Sequence, residues 1–174
     1  MNETIQMMLE RRSVRQYTDE MPKKEDIETI IEAGLWAASG MNLQSSKIVA
    51  ITNKELRDRL MVMNREIGGY APGHDPFYGA PVVLLVLADK SSYNCRYDGS
   101  LTMGNMMLAA SALGLGSCWI NRARQEFESE EGKRILEELG IEGDWEGIAH
   151  CIVGVPQTVP EAKPRKEGRV LWVE

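Results

Sequence analysis

Seven consecutive residues, Val82–Ala88, are apolar and favour β-structure, with Pro81 before them and Asp89 after. A run of that kind, without polar alternation, is the signature of a strand buried on both faces. A sheet built around it needs a covering layer on each side, and the rest of the chain offers helices for the purpose. Ile27, Ile30, Ile31 and Leu35 share one side of a predicted helix from Lys24 to Ala38, which Ser39-Gly40 stops. Leu56, Leu60, Met63 and Ile67 do the same over Lys54–Ile67, and Asn2 caps a first helix carrying Ile5, Met8 and Leu9. Ser100–Leu113, rich in Met and Ala, reads as a central buried helix or a subunit interface, and Ser129 caps a last helix reaching Leu139. Lys47–Thr52, Ser117–Asn121 and Ile148–Val155 read as further strands. Gly68–Gly79, with four glycines and two prolines, reads as a loop or lid.

Helices alternate with strands, so the expectation is an α+β or α/β domain over residues 1–155, followed by a proline-rich, basic tail over 156–174. That tail ends in the strand-like Arg169–Val173. Val170, Leu171, Trp172 and Val173 are poor residues to leave in water, so the tail is expected to dock on its own body or on a second subunit.

The net charge of −6 argues against a general binder of nucleic acid or of anionic membranes. The longest apolar runs are far too short for a bilayer, and Met1–Glu10 lacks the apolar core of a secretory signal. Cys95, Cys118 and Cys151 are widely spaced, with no CxxC, and the histidines are His74 and His150 alone. No metal site is expected, and a reducing cytoplasm suits the cysteines. His150 and Cys151 are neighbours on a predicted strand and so point to opposite faces, which disfavours a Cys–His dyad. Gly114-Leu115-Gly116 fails as a dinucleotide fingerprint: Trp119 stands where the third glycine belongs, and a helix precedes it.

Positive charge is nevertheless concentrated. Arg11, Arg12 and Arg15 fall within five residues, and Lys163, Arg165, Lys166 and Arg169 within seven. Guanidiniums grip phosphate oxygens in bidentate fashion, and Ser13 adds a hydroxyl donor. Ser39, Gly40, Asn42 and Gln44 offer amide donors and acceptors, suited to the edge of a heterocycle, beside a glycine that permits close backbone approach. Each segment alone also reads as a solvated face or a polar turn.

In order along the chain, RRSVRQY, AASGMNLQ, GAPVVLLVLAD, LAASALGLGSCWIN and GVPxxxPxxKPR resemble the nitroreductase family of flavin enzymes, from about Thr4 to Arg169. The resemblance implies an α+β sandwich with a central mixed β-sheet flanked by helices, in an intertwined homodimer with FMN at the subunit interface. It implies that Arg11, Arg12, Ser13 and Arg15 meet the phosphate and ribityl chain, joined by Lys163 and Arg165. Ser39, Gly40, Asn42 and Gln44 would meet the ring from the other subunit, and Trp119, Ile120, Asn121 and Arg122 would pack on a ring face. The tail would reach onto the partner subunit. Ala38, where many relatives have proline, and Ser45-Ser46, where many have Pro-Trp, depart from the family pattern.

The implied reaction is a ping-pong hydride transfer from NADH or NADPH to a small-molecule electron acceptor such as a nitroaromatic or quinone, with no side chain acting as nucleophile. Tyr70, Phe77 and Tyr78 are candidate stacking walls for nicotinamide or acceptor, or anchors of the loop. Two alternatives stand beside this reading: a non-catalytic flavin-binding or redox-sensing protein, and reductive dehalogenation on the same fold.

Overall fold

The computed structural model describes residues 1–174. Asn2 caps α1 (Glu3–Glu10), its Oδ1 accepting from the N–H groups of Thr4 and Ile5 at 2.9 and 3.3 Å. Helix α2 spans Lys24–Leu35, shorter than predicted, because Ala37 N–H turns back onto Gly34 O in a tighter turn. Strand β1 (Ser46–Ile51) leads through the Asn53 cap into α3 (Lys54–Ile67). Strand β2 is Val82–Asp89, and α4 is Cys95–Ala112. Helix α4 begins before the predicted Ser100 because its polar first turns hide Asp98, a buried carboxylate with partners outside the helix. Strand β3 (Gly116–Ile120) is followed by α5 (Ala123–Glu128), α6 (Glu130–Glu138) and β4 (Trp145–Gly154). Six-residue α5 is too short to show a periodic pattern, and the sequence alone does not reveal it.

The sheet order is β1-β2-β4-β3, with every neighbouring pair antiparallel. The parallel component of the expected mixed sheet is confined here to one isolated bridge, Ser13 to Ser117. Strand β2 is buried along its length, as its apolar run requires. Val83, Leu85 and Leu87 face one core with Leu60, Phe77, Phe127 and Ile135, under α3, α5 and α6. Val82, Leu84 and Val86 face another with Ile27, Ile30, Met103 and Met106, under α2 and α4. Ile148 is the extra residue of a bulge in β4, lying between the Val86–Ala149 and Leu87–Gly147 pairs.

His150 packs on Phe77 in the first layer, and Cys151 lies in the second core, so the two do point apart. The tail pairs with the segment after Arg15, through Tyr17–Pro156 and the Gln157 N–H to Gln16 O bond, and then leaves the body. Arg169–Val173 forms no strand in this protomer, contrary to its β-favouring sequence: it has no neighbour to pair its backbone groups, and Trp172 is 82% exposed.

Candidate active site

Two backbone contacts bring the first basic segment to the start of β3. Val14 N–H donates to Ser117 O, and Ser13 bridges Ser117. The side chains of Arg11, Ser13 and Arg15 all act on the Cys118 thiol. Burial pushes that thiol above its ordinary range, opposed first by the charge of Arg15, then by a hydrogen bond with Ser13 and the charge of Arg11. Cys151 behind it is pushed up to about 12 by burial and by Cys118, against the pull of Arg11. Both thiols therefore stay protonated near neutral pH, and neither is an activated nucleophile.

The cations of this corner lack counter-charges. Arg57, Arg59, Arg96, Arg124 and Arg134 each hold a carboxylate within 4.0 Å, but Arg11, Arg12, Arg15 and Arg122 hold none, in a chain with 26 acidic residues. Arg12 bonds the carbonyls of Leu9 and Arg11, and Arg15 reaches Ser13 O at 3.4 Å. Arg11 Nη1 and Ser117 Oγ are buried with no hydrogen-bond partner at all. Buried donors are ordinarily satisfied, so a missing acceptor is the physical reading of this pair. An anion with several oxygens is the group that this donor set fits, and the phosphate of a flavin mononucleotide has that chemistry.

The end of β3 closes the corner. Trp119 is half-buried and its indole N–H donates to Asn121 Oδ1. Ile120 is buried, and Arg122 takes the left-handed conformation at φ 85°. Arg122 Nη2 donates to Tyr70 Oη at 2.8 Å, with the guanidinium over the Tyr70 ring at 4.9 Å. From Tyr70 an aromatic series runs through His74, at 4.5 Å, to Tyr78, at 6.3 Å, and the Arg15 guanidinium lies 6.0 Å from the Tyr78 ring. The glycine-rich loop therefore spans the gap between the arginine segment and the end of β3. Phe77 does not line that gap. It is wholly buried against His150, because its position in the loop points into the first core, so it is no stacking wall for a ligand.

The SGMNLQ segment lies elsewhere. Gly40 N–H and Ser45 Oγ both donate to the buried Asp98 of α4, at 2.9 and 2.7 Å. A Cβ on Gly40 would stand 2.3 Å from the Asn94 amide nitrogen, so a larger residue there requires the Asn94 side chain to turn away. Ser39 Oγ accepts from Gln44 N–H, and Asn42 Oδ1 accepts from the Gln44 amide. These residues lead into β1, at the opposite edge of the sheet from β3. Three strand spacings separate the two edges, about 14 Å. Within one protomer, then, the structure joins Arg11, Arg12, Ser13, Arg15, Trp119–Arg122, Tyr70 and Tyr78, and leaves Ser39–Gln44 apart. Lys163 and Arg165 stand exposed on the tail without an ion pair.

Strain marks the same places. The non-glycine residues with positive φ are Met41, Asn42, Gln44, Tyr78 and Arg122, and every one lies in a segment singled out above. Such conformations cost roughly 1–3 kcal/mol each and concentrate at sites of function. Sequence reasoning missed Asn64, Glu126 and His150, which lie buried behind Arg122. Asn64 reads as an ordinary helix position, Glu126 lies in the unforeseen α5, and His150 reads as a plain strand residue.

Known proteins are similar to this chain in sequence and fold. The chain is 28% identical to an NADPH-flavin oxidoreductase of Vibrio harveyi, over 98% of this chain and 73% of that one. Its fold matches two nitroreductase crystal structures with bound FMN over 100% of both chains. One is from Bacteroides fragilis, at TM-score 0.90 and 27% identity, and the other from Desulfitobacterium hafniense, at 0.91 and 26%. The model of the nitroreductase family matches residues 8–155, most of its length, and the chain belongs to that family.

Proposed function

We propose that the protein is an FMN-dependent oxidoreductase that draws on NADH or NADPH to reduce a small acceptor such as a nitroaromatic or quinone. The observation that carries this reading is the set of uncompensated cations with the orphaned Arg11 Nη1. Arg11, Arg12, Ser13 and Arg15 hold the phosphate and ribityl chain, with Lys163 and Arg165 completing the basic ring. Trp119–Arg122 hold one side of the ring, and Tyr70 and Tyr78 border the space open to nicotinamide and acceptor. The chemistry that a bound FMN supplies there is acceptance of a hydride from NAD(P)H and its delivery to the acceptor, in ping-pong order.

The working form is a homodimer. Ser39, Gly40, Asn42 and Gln44 meet the ring from the second subunit, since about 14 Å of sheet separates them from Arg122 within one subunit. Leu35, Trp36, Met41, Leu43, Tyr97 and Leu101 are exposed around that segment and along α4, more apolar surface than a monomer usually leaves in water. No helix is long and apolar enough to cross a membrane.

The test is the visible spectrum of the purified, desalted protein, with the released cofactor identified by mass. The expected result is FMN near one per subunit, bleached by NADH or NADPH and recoloured by a quinone or nitroaromatic. A protein that stays colourless with added FMN overturns the reading. One that binds FMN but is never bleached is the non-catalytic flavoprotein.

A further inference from the structure

We infer that Asn64, Glu126 and His150 form a buried polar relay that positions the Asn121–Arg122 turn, the part of the site that faces the flavin ring. The inference rests on the cofactor reading above for its purpose, and on the geometry below for its existence.

The three side chains come from three elements and meet where an apolar core is otherwise continuous. Asn64, Glu126 and His150 are each wholly buried. His150 Nε2 lies 2.7 Å from Glu126 Oε2. The other carboxylate oxygen, Oε1, accepts from Asn64 Nδ2, and the same amide group donates to the carbonyl of Asn121 at 2.7 Å. Both amide hydrogens of Asn64 are thus committed, which turns its Oδ1 toward Arg122 Nη1 at 3.4 Å. Glu126 N–H in turn donates to the Arg122 carbonyl at 3.0 Å. His150 is fixed from behind by the Phe77 ring, at 5.1 Å, and by its place in β4 opposite Ile120.

Its donor and acceptor logic has one consistent arrangement. His150 Nδ1 is buried without a partner. A hydrogen there would be orphaned, so the proton belongs on Nε2, which donates to Glu126. Glu126 then accepts from both Asn64 and His150. It thereby fixes which way the Asn64 amide points, and with it the place of the Arg122 guanidinium.

A buried polar cluster of this kind is often no more stable than apolar residues of the same shape, so stability alone does not account for it. What it holds is strained: Arg122 has φ 85°, and its guanidinium has only neutral hydrogen-bond partners, Asn64 Oδ1 and Tyr70 Oη. The relay grips the turn from below while Tyr70 of the loop grips it from above. Asn64, Glu126 and His150 are therefore positioning residues; none of them reaches the surface on which a ring would lie.

The experiment replaces the relay with hydrocarbon. Asn64→Leu, Glu126→Leu and His150→Leu together remove every member of the relay at once, which leaves no unpaired polar side chain within it and keeps the core filled, while the Asn121 carbonyl and the Arg122 guanidinium lose the Asn64 contacts whose effect is measured. Hydrogen exchange is read on the FMN-free protein, and affinity for FMN and the midpoint potential of the bound flavin on the loaded one. The expected result is retained thermal stability, amide exchange at Asn121–Ala123 faster by about tenfold or more, FMN binding weaker by about tenfold, and a more negative potential. A merely structural cluster would move none of the last three. A triple variant that folds with wild-type exchange, affinity and potential overturns the inference. If the triple variant does not fold, Asn64→Leu alone, which leaves the Glu126–His150 pair intact, takes its place: the same three shifts support the relay, and wild-type values overturn it. If the wild-type protein itself takes up no FMN, the cofactor reading falls, and exchange at Asn121–Ala123 still decides the relay.

Discussion

Arg11 concentrates the electrostatic problem of this chain in one side chain. Its Nη1 is buried and unpartnered, and its charge reaches both Cys118 and Cys151. The two consequences have opposite signs. Arg11→Ala removes a buried donor without an acceptor, a group that costs about 1–3 kcal/mol, so the FMN-free protein should melt at the same or a higher temperature. The same change removes a charge-assisted contact worth about 1.5–3 kcal/mol, so the dissociation constant for FMN should rise by roughly tenfold or more. Arg11→Lys should lie between, because an ammonium cannot repeat the bidentate geometry. Fluorescence titration with FMN and thermal melts of the flavin-free form check both signs. Cys151 gives a pH prediction. Its folded value of about 12 lies above the ordinary 9.0, so its contribution is full below pH 9 and is lost as pH rises from there through 12. Stability should fall across that window by up to about 1.4 kcal/mol per pH unit for this one proton. Cys151→Ala should flatten that part of the curve in denaturant midpoints measured from pH 8 to 11.

Elements transmit packing to the site most directly where β4 meets α5. A Cβ on Gly147 would stand 2.3 Å from the Ala123 carbonyl oxygen and 2.5 Å from its carbon, both backbone atoms that cannot swing aside. Gly147→Ala should therefore destabilise the fold by about 2–3 kcal/mol, as overpacking does. Because Ala123 follows Arg122, it should also weaken FMN binding, and a loss of stability with unchanged FMN affinity would contradict that coupling. At this scale the sequence is most legible where a pattern is long. Helix α3 has its predicted bounds of Lys54 and Ile67, and the Val82–Ala88 run is a strand buried on both sides. Legibility fails where tertiary partners decide. The start of α4 is hidden because Asp98 finds its partners in Gly40 and Ser45, far away in sequence. Helix α5 is hidden because only Ala123, Glu126 and Phe127 are buried in it, too few to show a period. The arginine segment, the SGMNLQ segment and the end of β3 are legible as types of chemistry. That Phe77 turns inward, and that Asn64, Glu126 and His150 meet behind Arg122, depends on contacts between elements that no local pattern carries.

The whole molecule is left with surfaces that one protomer does not use. The tail pairs with the body only as far as Thr158, whose hydroxyl meets Gln16 Oε1. Beyond it, Val170, Leu171, Trp172 and Val173 are all exposed, as are Trp36, Met41 and Tyr97 on the helical side. Hydrocarbon of this extent is stable in water when another surface covers it, and the proposed homodimer would cover it with a second copy of the chain. From Thr158 to Lys163 the chain can reach at most about 18 Å, enough to set Lys163 and Arg165 beside the arginines of its own subunit or of a neighbour. A chain ended at Thr158 separates these roles. It keeps every helix, every strand and both cores, so its far-ultraviolet spectrum should match that of the full chain. It loses the apolar end, so sedimentation should show a dimer that dissociates on dilution into the micromolar range, where the full chain remains paired. It also loses Lys163 and Arg165, the two tail cations proposed for the anion site, so FMN affinity should fall by about tenfold at low ionic strength, with a smaller difference at high salt, where exposed charges are screened. Substituting Trp172→Ala and Leu171→Ala in the full chain should weaken the dimer and spare the salt dependence, because the basic residues remain. A truncated chain that stays dimeric on dilution and binds FMN as the full chain does would place the tail outside both the interface and the site. Covering the apolar surface would then fall to α4 and the Ser39–Gln44 segment alone.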